Sequence, residues 1–286
     1  MRSNADIKKV ILDKANADSR IRAVLLNGSR VNSKVEPDQF QDFDIVYIVN
    51  NIDSFTADHS WTSIFGDKLI WQLPDEMTFG KNEIDSSFSF HYLMLFKDGN
   101  RIDLTLFPAD KLKSDFKLDS LTVVWLDKDK LLSNMKAPDD ADYLIKRPTE
   151  KAFKDTCNEF WWVCTYVSKG LLRNEITYAK AMLESPVRKM FMSIIEWRIG
   201  CDTNFSVSFG KEGKFMDKYL STHEYNSILT TYADYKAENT WISLFVMTTL
   251  FSKFAIHVAD KLYFNYNYEE QKNTIEYLHQ QYQLRR

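Results

Sequence analysis

Asp42 and Asp44 stand two residues apart where a predicted strand begins, and they are the residues best suited to chemistry in this chain. Residues i and i+2 of a strand share a face, so the two carboxylates are expected to lie side by side. Adjacent carboxylates repel each other and need a cation, and hard oxygen ligands shared with substrate phosphates favour Mg²⁺. Asp103 lies in a later apolar strand, where an unpaired acid is costly. It is therefore predicted as the third ligand of a site that could hold two ions around a reacting phosphorus.

A Gly28-Ser29 turn precedes these acids, with twelve residues between Ser29 and Asp42. Glycine allows a tight turn whose N–H groups can face a phosphate, and the serine hydroxyl adds a further donor. Arg30 follows directly and is a weaker candidate for a phosphate contact. The turn followed by the carboxylates predicts a site for a nucleotide and its metal.

A helix of the second half carries a polar and aromatic stripe opposite its apolar stripe. The stripe contains Glu159, Trp162, Tyr166 and Lys169, at helical steps of three and four residues. Two interpretations stay open. The stripe either packs on another helix beside surface ion pairs, or it faces a nucleotide cleft, with Lys169 reaching the triphosphate and Trp162 and Tyr166 lining a pocket.

Other phosphate-binding and hydrolytic motifs are missing from the sequence. It contains no GxxxxGK[ST], GxGxxG, HExxH or GxSxG. The net charge of −3 argues against a protein that mainly grips nucleic acid. The three cysteines have no metal-binding spacing and are expected to be reduced thiols.

The elements that must position these residues differ between the two halves of the chain. Short runs rich in branched and aromatic residues predict strands at 22–26, 43–49, 68–73, 92–96, 101–107 and 121–126. Helical periodicity predicts helices at 4–17, 149–172, 175–184, 186–199, 222–231, 237–262 and 268–283. The expected fold class is α+β, with a mixed-sheet domain at 1–135, a linker at 136–148 and an all-α bundle at 149–286.

The N-terminal segment is charged and lacks the apolar core of a signal peptide. The most apolar stretch, 241–259, is interrupted by polar residues and predicts a buried helix rather than a membrane span. A soluble cytoplasmic protein without membrane contact is therefore expected.

The order of turn and acids resembles the hG[GS]…DhDh signature of the nucleotidyltransferase superfamily that includes DNA polymerase β. The resemblance extends over nearly the whole chain to the aminoglycoside 6-adenylyltransferase family. It is carried by the segments LNGSR, QDFDIVYIV, HYLMLF…RIDLTLFP, CNEFWWVCTYVSKGLLRNEI and FSVSFGKEGKFMDKYL. It implies a polymerase-β-like domain followed by a helical domain, with ATP and the drug bound between them. It also implies Mg²⁺-dependent transfer of AMP to the 6-hydroxyl of the streptidine ring of streptomycin, with release of pyrophosphate and resistance to the antibiotic.

By this resemblance Asp42 and Asp44 match the metal pair, Gly28-Ser29 the phosphate turn and Asp103 the third acid. Lys169 lies in the helix where related enzymes place a phosphate-binding lysine. Asp103 is favoured as the base that removes the hydroxyl proton, and Glu159 is the second candidate. Trp162, Tyr166 and Glu159 are the expected substrate contacts.

The expected partners are ATP and a cationic aminoglycoside, without nucleic acid, and a monomer is expected. Three alternatives remain open: transfer to another aminoglycoside, transfer to a protein or RNA, and a non-catalytic nucleotide-binding protein. The preference for ATP over GTP and the natural role of resistance also remain open.

Overall fold

The computed structural model of the protein describes residues 1–78, 88–132 and 135–285. The chain divides into two compact units, Met1–Asp142 and Tyr143–Arg286. The first unit is built on a sheet and the second on helices, which confirms the α+β class predicted from the sequence.

A six-stranded mixed sheet forms the centre of the first unit. Its strands are β1 (Ile21–Asn27), β2 (Phe43–Val49), β3 (Lys68–Gln72), β4 (Phe90–Phe96), β5 (Arg101–Pro108) and β6 (Thr122–Asp127). They lie in the order β3-β4-β5-β2-β1-β6. Only the β2–β5 pair is parallel among the described neighbours. Strands β4 and β5 form a hairpin, and Gly99 at its turn has a φ of +83°, where glycine is favoured.

The two faces of the sheet bury different sets of residues. On one face, α1 (Asn4–Ala17) contributes Ile7, Ile11 and Ala15 to a core that also contains Tyr47. The Tyr47 hydroxyl donates to the carbonyl of Ile11 at 2.7 Å, which fixes the helix against the sheet. A four-residue helix, α2 (Asp53–Thr56), follows β2.

The opposite face carries a smaller apolar cluster, to which Ala23, Leu25, Val46, Ile48 and Phe107 contribute. Because side chains alternate along a strand, Asp44 and Asp103 belong to this second face. Asp44 and Asp103 thus lie on the face of the sheet that carries the smaller apolar cluster.

The second unit consists of helices α3 (Glu150–Leu172), α4 (Ile176–Met182), α5 (Arg188–Asp202), α6 (Thr222–Leu229), α7 (Ala237–Leu262) and α8 (Tyr268–Gln283). Separate helices were predicted at 175–184 and 186–199, but a π-helical turn, Leu183–Val187, joins α4 directly to α5. Pro186 lies inside this turn. The wider turn accommodates a residue that cannot donate a backbone hydrogen bond, so the proline does not separate the helices.

Helix α7 is long and apolar enough to cross a membrane by length and composition alone. However, 61% of its most apolar window is buried inside the protein. Its buried side chains, including Trp241, Phe251 and Phe254, belong to the core of the second unit. The helix therefore has the packing of a core helix.

Candidate active site

A row of polar side chains crosses three neighbouring strands of the sheet. Asn27 at the end of β1 is the register partner of Asp44 on β2, and Asp44 is the partner of Asp103 on β5. Strands in a sheet lie about 4.8 Å apart, so the three residues are immediate neighbours on one face. Thr122 on β6 extends the row by donating its hydroxyl to Asn27 Oδ1 at 2.9 Å.

Arg101 links the two outer carboxylates of the cluster. Its Nε and Nη2 each donate to one oxygen of Asp103 at 2.7 Å, and its Nη1 lies 3.6 Å from Asp42 Oδ2. The first contact is a bidentate pair, the strong form of a charge-assisted hydrogen bond. Asp42 and Asp103 thus share one guanidinium, and its positive charge also acts on Asp44.

Burial raises the pKa of Asp44 to about 6, and the negative charges of Asp103 and Asp42 add to the increase. The positive charges of Arg101 and Arg30 offset only part of it. The pKa of Asp42 is also raised, chiefly by burial. Since an added cation would favour the ionised carboxylates, the electrostatics of the cluster suit a cation.

The donor set fits Mg²⁺ in its chemistry, because carboxylate oxygens are hard ligands, and in its backbone placement, because Asp44 and Asp103 are register partners on adjacent strands. Within residues 1–78, 88–132 and 135–285, however, no three His, Cys, Asp or Glu side chains are already grouped to hold a metal ion. In this structure both carboxylate oxygens of Asp103 accept hydrogen bonds from Arg101.

Gly28 lies against the carboxylate of Asp44. It adopts a φ of +79°, and a Cβ atom at this position would lie 2.2 Å from Asp44 Oδ2. Only glycine allows the turn to pass this close to the acid. The N–H of Gly28 donates to the carbonyl of Leu121 at 3.1 Å, so this donor is used inside the protein. The contribution of Gly28 is close approach, which leaves Ser29 as the polar side chain of the predicted phosphate turn.

Arg30 is half-buried and holds the loop that leads to Asp42. Its guanidinium lies 3.7 Å from the Phe43 ring centroid and donates to the carbonyls of Gln41 at 2.6 Å and Asp42 at 2.9 Å. Burial lowers its pKa. In this structure the residue that was predicted as a weaker phosphate contact is bonded to the loop instead.

The stripe predicted on the second unit lies on an exposed face of α3. Trp162 is 59% exposed, and its indole Nε1 donates to the Tyr166 hydroxyl at 2.7 Å. Lys169 is exposed and lies 5.5 Å from the ring centroid of Tyr166, and Glu159 is also exposed. Tyr166 thus lies beside both Trp162 and Lys169.

Trp162 also borders a groove of about 570 Å³ within the second unit. Asn158 and Thr165 line the groove from α3, and Asn273 and Tyr277 line it from α8. Helix α8 is thus a neighbouring helix of the kind that the packing interpretation of the stripe requires. Lys169 does not line the groove.

Sequence reasoning missed Asn27, Thr122 and Arg101. Asn27 directly precedes the Gly28 turn, and Arg101 stands two residues before Asp103, which on a strand means the same face. That spacing was the available signal for Arg101. The position of Thr122 beside Asn27 depends on strand order, which the sequence does not carry.

Comparison with known proteins identifies the family of this chain. A family profile for streptomycin adenylyltransferases matches residues 1–281. An aminoglycoside 6-adenylyltransferase of Bacillus subtilis is 42% identical over 272 residues, covering 94% of this chain and 95% of the relative. One from Campylobacter jejuni is 40% identical over 272 residues, covering 95% and 93%. The crystal structure of an aminoglycoside 6-adenyltransferase from Bacillus subtilis shares 37% identity over 99% of each chain, with a TM-score of 0.48.

The chain is thus a nucleotidyltransferase by class. It belongs to the streptomycin adenylyltransferase family, since the match covers all but its last residues. By this membership it is an enzyme, an aminoglycoside adenylyltransferase.

Proposed function

We propose that this enzyme transfers AMP from ATP to the 6-hydroxyl of the streptidine ring of streptomycin, with Mg²⁺ bound, and releases pyrophosphate. The observation that carries the proposal is the register pairing of Asp44 with Asp103 beside the close turn at Gly28. Family membership supports the reaction class, and the name of the matching family supports the drug. Such a reaction would confer resistance to the antibiotic on a cell that holds the enzyme in its cytoplasm.

Asp42, Asp44 and Asp103 are the residues that would hold the metal. A bound Mg²⁺ supplies charge stabilisation to the triphosphate and to the departing pyrophosphate. The Ser29 hydroxyl would donate to the phosphates from the end of β1. Lys169, exposed on α3, would add a positive charge to the same phosphates.

The transfer itself is an in-line displacement at the α-phosphorus. The drug oxygen forms a bond to this phosphorus while the bond to the bridging oxygen breaks, and the electron pair leaves with pyrophosphate. Asp103 would take the hydroxyl proton. Because Arg101 now occupies both Asp103 oxygens, this role requires at least one of them to be released. Glu159 remains the second candidate.

The acceptor is expected to be cationic. Streptomycin carries two guanidinium groups, and planar guanidiniums pair well with carboxylates and stack on aromatic rings. Glu159, Trp162 and Tyr166 offer both kinds of contact on an exposed face of α3. We propose these three side chains as drug contacts, in a monomeric enzyme.

Three other functions compete with this proposal. A different aminoglycoside could be the acceptor, a protein or RNA could be adenylylated, or the chain could bind nucleotide without catalysis. The net charge of −3 disfavours RNA. The register pairing of Asp44 with Asp103 disfavours a protein that has lost catalysis.

Mass spectrometry of streptomycin after incubation with enzyme, Mg²⁺ and ATP tests the proposal. The expected product is the drug plus one adenylyl group, with one pyrophosphate released per drug. Parallel reactions with other aminoglycosides, a protein mixture and RNA separate the acceptor classes. If streptomycin stays unmodified while another acceptor is adenylylated, that acceptor is the substrate. If no acceptor is adenylylated, the chain is a protein that binds nucleotide without catalysis.

A further inference from the structure

Arg101 occupies the position from which a cation would neutralise the carboxylate cluster. It lies at the start of β5, two residues before Asp103 and on the same face of the sheet. Its fork satisfies both Asp103 oxygens at 2.7 Å and its remaining nitrogen approaches Asp42 at 3.6 Å. A single side chain thus spans two of the three acids.

The absence of a grouped metal site in the described residues agrees with this contact. The backbone brings Asp44 and Asp103 together as register partners, so strand placement does not keep the acids apart. What differs from a metal site is that the Asp103 carboxylate is turned onto a guanidinium.

We propose that Arg101 is a counter-ion that blocks metal binding in the empty enzyme, and that the nucleotide's phosphates remove it from Asp103 and Asp42. This inference rests on the proposed function, because it takes the metal and nucleotide as ligands. A guanidinium fork pairs with phosphate as well as with carboxylate, so an arriving triphosphate offers Arg101 an equivalent partner. Metal and nucleotide then bind together, and metal alone binds weakly.

The charges give the direction of the effect. With Arg101 paired, a divalent ion approaching Asp42, Asp44 and Asp103 meets a positive charge in contact with two of its ligands. Replacing that charge with a neutral amide removes the repulsion and frees the Asp103 oxygens. Coupling of this kind changes affinity by about tenfold or more. If Arg101 only held Asp103 in place for the metal, the same replacement would weaken metal binding.

Binding of Mn²⁺ to nucleotide-free protein, followed by electron paramagnetic resonance, tests the proposal without any turnover. Arg101→Gln should bind Mn²⁺ about tenfold more tightly than the wild type, and Arg101→Lys, which keeps the charge but loses the fork, should fall between them. With a non-hydrolysable ATP analogue present, the advantage of Arg101→Gln should disappear. Equal or weaker Mn²⁺ binding by folded Arg101→Gln and Arg101→Lys overturns the proposal.

Two controls locate the effect. Arg22 pairs with Asp129 through the same kind of fork at the opposite end of β1, so Arg22→Gln should leave Mn²⁺ affinity unchanged. Adding Asp44→Asn to Arg101→Gln should abolish the gain, and a gain that survives would place the ion elsewhere and overturn the proposal. Failure of the proposed function would show separately, as wild-type enzyme that binds Mn²⁺ with nucleotide but adenylylates no acceptor.

Discussion

Asp44 and Asp103 are register partners on the parallel pair of strands at the centre of the sheet, β2 and β5. Both acids lie near the beginning of their strands. The antiparallel neighbour β1 ends at the same edge with Asn27, which faces Asp44. The turn at Gly28 follows at once, so chain direction alone brings the turn and the acids to one place.

Gly28→Ala should reduce AMP transfer by about tenfold or more. An added Cβ would collide with the Asp44 carboxylate, and the positive φ costs a non-glycine residue about 1–2 kcal/mol. Steady-state kinetics measure the loss. Gly99→Ala has the same backbone penalty at the β4–β5 turn, away from the acids, and should retain activity. Equal losses in both variants would attribute the effect of Gly28 to general strain.

Lys169→Ala should raise the apparent KM for ATP about tenfold, because one charge-assisted contact to phosphate is worth about 1.5–3 kcal/mol. The measurement is initial rate against ATP concentration at saturating streptomycin. Lys154→Ala serves as the control, since Lys154 lies on the same helix and pairs with Glu150 at 2.8 Å. An unchanged KM for ATP in the Lys169 variant would favour the interpretation in which the stripe on α3 packs on another helix.

Asp103→Asn and Glu159→Gln should separate the two candidate bases. Loss of a general base costs about 100-fold or more in kcat, so the Asp103 variant should show this loss. The Glu159 variant should instead raise the KM for streptomycin with a smaller change in kcat. The reverse pattern, in rates measured across pH, would make Glu159 the base.

Glu224→Gln should destabilise the second unit by about 2 kcal/mol at pH 7. Burial raises the pKa of Glu224, but hydrogen bonds from Lys253 and Ser221 and the charge of Arg198 outweigh it and lower the pKa to about 2. The stabilisation is therefore complete above the ordinary pKa of 4.5 and is lost as the pH falls toward 2.

Thermal unfolding at pH 7 and pH 3 checks the Glu224 prediction. The gap in melting temperature between wild type and Glu224→Gln should be wide at pH 7 and narrow at pH 3. Glu276→Gln, an exposed residue 3.9 Å from Lys272, should show little change at either pH. A gap that does not depend on pH would contradict the assigned pKa shift.

The sequence predicted most elements because their signals are local. Strand patterns and helical periodicity depend on neighbours within a few residues. The helices predicted at 175–184 and 186–199 are joined by the π turn Leu183–Val187, which accommodates Pro186 and depends on packing. Local signals therefore served best where tertiary packing did not alter them.

The candidate site was only partly predictable for a related reason. Spacing placed Asp42 and Asp44 on one face, but strand order made Asp103 rather than another acid their neighbour. The partners of Arg30 and Arg101 depend on side-chain geometry, and both arginines are bonded inside the protein. The sequence shows which charged residues are present, but which of them form ion pairs depends on the fold.

AMP transfer to streptomycin by Asp44→Asn tests whether the carboxylate cluster is the catalytic site. The pKa of Asp44 is raised to about 6, so at pH 8 its ionised form lowers the stability of the fold. The melting temperature of Asp44→Asn at pH 8 should therefore be no lower than that of metal-free wild type. Asp67→Asn, at an exposed acid 3.8 Å from Lys97, is the matched control. We predict that folded Asp44→Asn loses AMP transfer by about 100-fold or more while Asp67→Asn retains it. Wild-type turnover in folded Asp44→Asn would exclude Asp44 as a residue needed for AMP transfer.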